Sequence, residues 1–245
     1  MLFFIPHPSS FILALMRPVC IVMVKAPRAG EVKTRLVPPL SGAQAAGVAA
    51  CFAQDTVAAL RRVVPEVIVA YAPADGRDVL EALLPPGNLF WLEQRGEDLG
   101  ERLSTAVTHA ATLGHSPVIV TGSDSPTLPT SFVESAIASL TAGESDIALG
   151  PTEDGGYYLV GLRQPVAGLF RNVAWSTPRA HRQTSQTAAR LNLRVLDLPH
   201  WYDVDTFSDL LHLRDEIFTS EEARERAPAT HRWLLEHDSL LSAPV

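Results

Sequence analysis

Cysteine is nearly absent. Cys20 and Cys51 are the only two in 245 residues, so a disulfide framework is excluded. Cys20 lies in an apolar strand-like run and Cys51 in a helix-like one, which reads as two free thiols and fits a reducing cytoplasm. No cysteine pair has metal-ligand spacing, and the eight histidines show no zinc pattern. No Ser-His-Asp set is legible either. Basic residues are the minority: 20 Lys and Arg face 27 Asp and Glu, a net charge of −7. That balance argues against a nucleic-acid binder that works by broad phosphate neutralisation, while leaving room for a local basic pocket. A membrane-spanning run is missing too. The apolar start, residues 1–15, lacks a basic lead, is broken by Pro6 and Pro8, and is too short to cross a bilayer. A signal peptide is the weaker reading of it. We expect an extension with little structure ahead of a start at Met16, leaving residues 16–245 as a single domain.

What is present is a core and a rhythm. Apolar residues make up 47% of the chain, enough to fold and too many for disorder. Short β-branched runs at 19–24, 67–71, 89–92, 118–121, 146–149, 157–162 and 193–198 read as strands. Helical patterns separate most of them. Ser41 and Gln44 have capping-box spacing ahead of Ala46, Ala50, Ala53, Val57, Leu60 and Val64. Shorter helices are expected over 75–84 and 101–113. Ser131 with Glu134, and Thr206 with Asp209, promise further capped starts, and Ser176-Thr177-Pro178 opens a weakly amphipathic helix to Leu191. A last helix is expected around Trp233 and Leu235, either packed or dimer-forming. Strands alternating with helices, with no repeat and no long linker, imply an α/β domain with a mostly parallel sheet covered on both faces.

In such sheets ligands bind outside the carboxyl ends of the strands, and the polar motifs gather there. After the first strand comes Lys25-Ala-Pro-Arg28-Ala-Gly30-Glu-Val-Lys33-Thr-Arg35-Leu36, four cations in eleven residues. Polyphosphate is the natural guest of such a loop, arginine offering a fork and lysine a point charge. It is not a Walker loop, because Pro27 and Val32 stand where glycines are needed, and it lacks the dinucleotide glycine spacing. After the third strand, Gln94-Arg-Gly96-Glu-Asp98-Leu-Gly100-Glu101-Arg102 offers Gln94 to a base edge and glycines for close approach. Asp98 and Glu101 are equally explained as a helix start. After the fourth, Gly122-Ser-Asp124-Ser-Pro126 sets a carboxylate at a turn. Glu153-Asp154-Gly155-Gly156-Tyr157 reads as a hairpin turn, or as an acceptor loop with Glu153 or Asp154 as base or metal partner. In Asp203-Val-Asp205-Thr206 the two carboxylates share a side if the run is extended. Asp205 reads most simply as the cap of the next helix, and it can fill that role and still join Asp124 at a magnesium ion, which is usually held by one or two carboxylates plus substrate phosphates.

These motifs in this order resemble the family labelled selenodomain-associated transferase 1, of the nucleotide-diphospho-sugar transferase superfamily with its GT-A fold. The likeness runs from Val19 to Leu213. The chain is similar, more loosely, to the phospholactate guanylyltransferases, although their Gly-Gly-Thr-Asn segment is Gly155-Gly-Tyr-Tyr158 here and the glycine-rich loop of sugar nucleotidyltransferases is absent. The resemblance implies a divalent metal, Mg2+ or Mn2+, on Asp124 and Asp205, with Asp203 beside them. It implies phosphates on Lys25, Lys33 and Arg35, and a base near Gln94, Gly96 and Gly100. Arg28, Gly30, Asp98 and Arg102 complete the expected donor site, and Gly155, Gly156 and Tyr157 the acceptor site. The expected activity is a cytoplasmic, metal-dependent transferase with a nucleotide donor and a small-molecule acceptor. Its chemistry is glycosyl transfer from a nucleoside-diphosphate sugar, or nucleotidyl transfer from a triphosphate onto a phosphorylated acceptor. A nucleotide-binding module without turnover is the non-enzymatic alternative. No nucleic-acid partner and no membrane span are expected, and a homodimer is left open.

Overall fold

The computed structural model describes residues 16–241; the extension expected over residues 1–15 lies outside them. Seven strands make one sheet in the order β3-β2-β1-β4-β6-β5-β7. They are β1 (Val19–Lys25), β2 (Val67–Ala72), β3 (Leu89–Glu93), β4 (Val118–Thr121), β5 (Ile147–Pro151), β6 (Tyr157–Leu162) and β7 (Val195–Asp197). Strand β6 runs antiparallel to both its neighbours, and every other pairing is parallel. The expected α/β class and GT-A-like architecture are those observed. Successive strands step outward from β1 to β3, and the chain then returns to place β4 on the other side of β1. This reversal opens a crevice at the carboxyl ends of β1 and β4.

The helices are α1 (Gly42–Val63), α2 (Arg77–Leu83), α3 (Leu99–Thr112), α4 (Thr130–Ala142), α5 (Ala180–Arg190), α6 (Phe207–Thr219), α7 (Glu221–Arg226) and α8 (Pro228–Leu241). Strand side chains alternate between the two faces, and the core divides accordingly. Cys20, Val22 and Val24 of β1 pack with Ala53, Val57 and Leu60 of α1 and Val133 and Leu140 of α4. Val19 and Ile21 face the other way, toward Leu103, Ala106, Val107 and Ala110 of α3. A third cluster lies behind α1. There Phe52 meets Leu210, Leu213 and Ile217 of α6 and Trp233 and Leu234 of α8, together with Leu36, Leu40 and Val204 from loops. The last helix is therefore packed against its own chain, with Trp233 buried and Leu235 turned outward.

The capping boxes at Ser41/Gln44 and Thr206/Asp209 form. The one expected at Ser131/Glu134 does not. The Pro126–Pro129 turn carries the chain into helical geometry already at Thr130, so Ser131 is inside the first turn, where its carbonyl accepts from Ser135 Oγ at 2.7 Å. The helix expected from Ser176 begins at Ala180, because Ser176 takes a left-handed φ of 58° and residues 176–179 form a turn. Helix α8 is capped from a distance. Ala227, just before it, has no side-chain oxygen. Asp55 of α1, 1% exposed, supplies one instead, accepting from Ala229 N at 2.9 Å, Thr230 N at 2.8 Å and Thr230 Oγ1 at 2.7 Å. Burial raises the Asp55 pKa, and these donors oppose the rise. Asp55→Ala will lower stability by about 2–3 kcal/mol in urea unfolding, since it removes a cap and strands buried donors. An unchanged midpoint would contradict the role given to Asp55.

Candidate active site at the switch point of the sheet

The loop leaving β1 is folded by its own contacts. Lys25 Nζ donates to the Glu31 carbonyl at 2.7 Å, Gly30 turns with φ of 80°, and Lys33 holds a left-handed φ of 47° and ψ of 38°. That conformation is uncommon for a residue with a side chain. The 3-10 turn Thr34–Leu36 follows, and Leu36 is fully buried. The result drives Lys33 inward. Its side chain is only 7% exposed, with Nζ 2.7 Å from Asp124 Oδ1 and 3.0 Å from Asp205 Oδ1. Burial alone would lower the Lys33 pKa, but Asp124 and Asp205 more than offset it and hold the ammonium charged. Arg35 Nη1 reaches Asp205 Oδ2 at 3.5 Å from a largely exposed position.

The acidic partners are fixed by backbone. Val204 N donates to the Asp124 carbonyl at 2.9 Å, joining the turn after β4 to the segment before α6. Thr206, not Asp205, caps α6. Asp209 Oδ2 accepts from Thr206 N at 2.7 Å and from Asp205 N at 3.0 Å, which leaves the Asp205 carboxylate to Lys33 and Arg35. Asp203 turns to Ser125, whose hydroxyl donates to Asp203 Oδ1. Burial, with Asp124 and Asp205 nearby, pushes the Asp203 carboxyl up to about 6 against the pull of Ser125 and Lys33.

Two cavities meet at Asp124. The first, of about 370 Å³, is lined by Lys25, Lys33, Arg35, Gln94, Leu99 and Asp205 among others. The second, of about 260 Å³, has Leu103, Val120, Tyr157, Ser125 and Asp203 in its wall; Met23, Leu99 and Asp124 belong to both. No lysine or arginine lines the second. Gln94 spends its amide donors on Ala70 O at 2.7 Å and Val24 O at 3.2 Å, so only its oxygen is left to offer a ligand.

Other expected residues stand elsewhere. Arg28 donates to the Asp75 side chain at 3.1 Å and to its carbonyl at 3.0 Å, outside both cavities. Gly96, Asp98, Gly100 and Arg102 build the start of α3 and line neither cavity. Asp98 accepts from Glu101 N at 2.8 Å as N-cap, and Arg102 Nε donates to Gly96 O at 3.1 Å. A side chain at Gly96 would meet Glu101 and Arg102, and one at Gly100 would meet Phe170 O at 2.7 Å. Glu153, Asp154, Gly155 and Gly156 form the β5–β6 turn, also outside both walls. Asp154 Oδ1 accepts from Thr152 Oγ1 at 2.6 Å and Gly156 N at 3.0 Å, and Glu153 is exposed.

Sequence reasoning missed Met23, Leu99 and Ser125, and the bracket behind the acidic segment. Glu216 Oε2 accepts from Thr127 Oγ1 at 2.9 Å and from the Tyr202 hydroxyl, tying the turn after Asp124 to the residue before Asp203. An exposed apolar residue at the first position of α3, Leu99, was a usable signal; nothing local marks Glu216.

The family described as "Uncharacterized protein conserved in bacteria (DUF2064)" matches residues 56–177. A crystal structure titled "putative nucleotide-diphospho-sugar transferase", from Desulfovibrio desulfuricans G20, is 34% identical, covers 92% of this chain and 97% of its own, and superposes with a TM-score of 0.84. The chain belongs to the DUF2064 family. It lies within the nucleotide-diphospho-sugar transferase superfamily, as the motifs implied. No curated protein sequence matches it. More distant structures share the fold of this DUF2064 protein. The inositol-1-phosphate CTP transferase from T. maritima is 14% identical over 88% of this chain and 96% of its own, TM-score 0.54. Rv0371c from Mycobacterium tuberculosis H37Rv, solved in complex with manganese, is 14% identical over 79% and 95%, TM-score 0.50.

Glu216→Ala leaves the Thr127 and Tyr202 hydroxyls with only each other at 3.3 Å. It will cost about 1–2 kcal/mol in thermal or urea unfolding. If it costs nothing, Glu216 does not clamp the two segments.

Proposed function

We propose that this DUF2064 protein is a transferase with a nucleotide-activated donor, and that it moves a glycosyl group from a nucleoside-diphosphate sugar to a small acceptor. One observation carries the reading: Asp124 and Asp205, 81 residues apart in the chain, meet on one cation at the crevice where the strand order reverses. The family relation to the Desulfovibrio protein, and the motif order shared with selenodomain-associated transferases, support it.

The site suits a divalent metal. Among the described residues no group of three or more His, Cys, Asp or Glu is arranged to hold a metal by itself. Two carboxylates in a cavity that also holds three cations are instead the partial donor set that Mg2+ or Mn2+ completes with substrate phosphates. Asp124 and Asp205 would hold the ion, which when bound would neutralise the leaving diphosphate. Lys25 and Arg35, which line the same cavity, bind the same phosphates. Gln94 and Leu99 border the donor cavity and receive the base, Gln94 through its oxygen. The acceptor enters the second cavity, between Tyr157 and Asp203. Asp203, the carboxylate in that wall beside Asp124, takes the proton of the acceptor hydroxyl. This role passes to it from Glu153 and Asp154, which line neither cavity.

Charge favours glycosyl over nucleotidyl transfer in this reading. An acceptor phosphate, as nucleotidyl transfer to a phosphorylated molecule requires, would enter a cavity with two carboxylates in its wall and no basic side chain. A neutral hydroxyl acceptor avoids that repulsion. No helix among the described residues is long and apolar enough to cross a membrane. Separately, the free thiols of Cys20 and Cys51 fit a reducing compartment, and on that ground we assign the protein to the cytoplasm.

The test is the released product. With Mg2+ and a panel of nucleoside-diphosphate sugars and nucleoside triphosphates, nucleoside diphosphate is expected. Its production should fall about 100- to 1000-fold in Asp124→Asn. Pyrophosphate release would favour nucleotidyl transfer. Nucleotide binding without either product, unchanged in Asp124→Asn, would mark a binding module.

A further inference from the structure

The most unusual group in the molecule is the Lys33 ammonium. It is almost fully enclosed, it hangs from a left-handed backbone, and it lies within hydrogen-bond distance of two carboxylates from different loops. Magnesium–oxygen distances of about 2.0–2.1 Å would put a divalent ion in the space between those carboxylates that the ammonium fills. Two cations in that gap repel each other, so the lysine and the metal are alternatives for one seat. Arg35, by contrast, is 68% exposed and can leave Asp205 freely. Lys33 cannot retreat into solvent with its backbone, because Leu36, three residues on, is anchored at 0% exposure. Its side chain can only rotate, and the space beside it is the cavity that it lines together with Lys25 and Arg35. A phosphate there would give the displaced ammonium a new anionic partner.

We propose that Lys33 is the resident counter-ion of the Asp124–Asp205 pair, surrendering the seat only when nucleotide phosphates arrive, so that divalent metal and nucleotide bind cooperatively. Metal alone then binds weakly, since it must strand a buried ammonium. Phosphate alone also binds weakly, since Lys33 is already neutralised. Together each removes the obstacle to the other. By linkage the gain is the same whichever binds first, typically about 5- to 150-fold. The inference rests on the reading of Asp124 and Asp205 as metal ligands.

Mn2+ binding to the full-length protein, followed by electron paramagnetic resonance, tests it without reference to turnover. Lys33→Gln should bind Mn2+ alone at least about tenfold more tightly than the wild type, while Lys33→Arg, which keeps a cation, should not. Inorganic pyrophosphate at fixed free Mn2+ should tighten wild-type Mn2+ binding by about tenfold and that of Lys33→Gln by clearly less. A folded Lys33→Gln that binds Mn2+ no better than the wild type overturns the proposal. If circular dichroism shows that Lys33→Gln has not folded, the wild type decides, and Mn2+ binding indifferent to pyrophosphate overturns it. The metal reading fails separately. It is lost if the double variant Lys33→Gln/Asp124→Asn still binds Mn2+ as tightly as Lys33→Gln.

Discussion

Leu36 and Val204 are buried in one apolar cluster, and the candidate site depends on that shared burial. Leu36 follows the basic loop by three residues from Lys33. Val204 stands between Asp203 and Asp205. Each is at 0% exposure, against Phe52 of α1 and the apolar faces of α6 and α8. Fully burying such side chains stabilises by about 1.5–3 kcal/mol each, roughly the cost of ordering one or two residues of the polar segments beside each. Hydrophobic attraction has no direction, so it cannot aim a carboxylate. It does fix where the two loops cross, and the backbone bond from Val204 N to Asp124 O then sets the register of one on the other.

Within that frame the charges sort themselves into two compartments. The donor side holds Lys25, Lys33 and Arg35 with Glu31, Asp124 and Asp205, three charges of each sign before any ligand enters. The second side holds Asp124 and Asp203 against apolar and aromatic walls. A polyanion finds cations in the first and only carboxylates in the second, so one molecule with a charged tail and a neutral head is favoured in one orientation. The apolar Met23 and Leu99 shared by both cavities provide a boundary without competing hydrogen bonds.

The fold was legible because its inner strands β1, β4, β5 and β6 are buried on both faces and most of its helices carry one apolar stripe. The runs at 118–121 and 157–162 were read to the residue. Errors came where a local cue met a stronger neighbour. Ser131 has the right partner at the right spacing, but the Pro126–Pro129 turn starts the helix two residues earlier. Convergence on the sheet edge was readable for Lys33, Asp124 and Asp205, because each follows or precedes an element whose end was clear. Arg28 was not separable from them by sequence: it sits in the same loop, and only the fold shows that Asp75 takes it. Ser125 and Glu216 could not be found at all, since a hydroxyl or carboxylate that acts by holding another side chain leaves no periodic trace.

The terminal helices follow from the same reasoning. Helices α6 to α8 contribute no residue to either cavity wall, yet they supply most of the cluster in which Leu36 and Val204 are held. Asp55 fastens the beginning of α8 to the middle of α1, Gly47 lets Trp233 approach α1 closely, and α1 begins directly after the basic loop. A disturbance at the α1–α8 contact therefore has a mechanical route to Lys33 through Phe52, whose ring lies 6.0 Å from the ammonium. The tail is the floor on which the two charged loops rest, which explains why so charged a segment is folded against the domain at all.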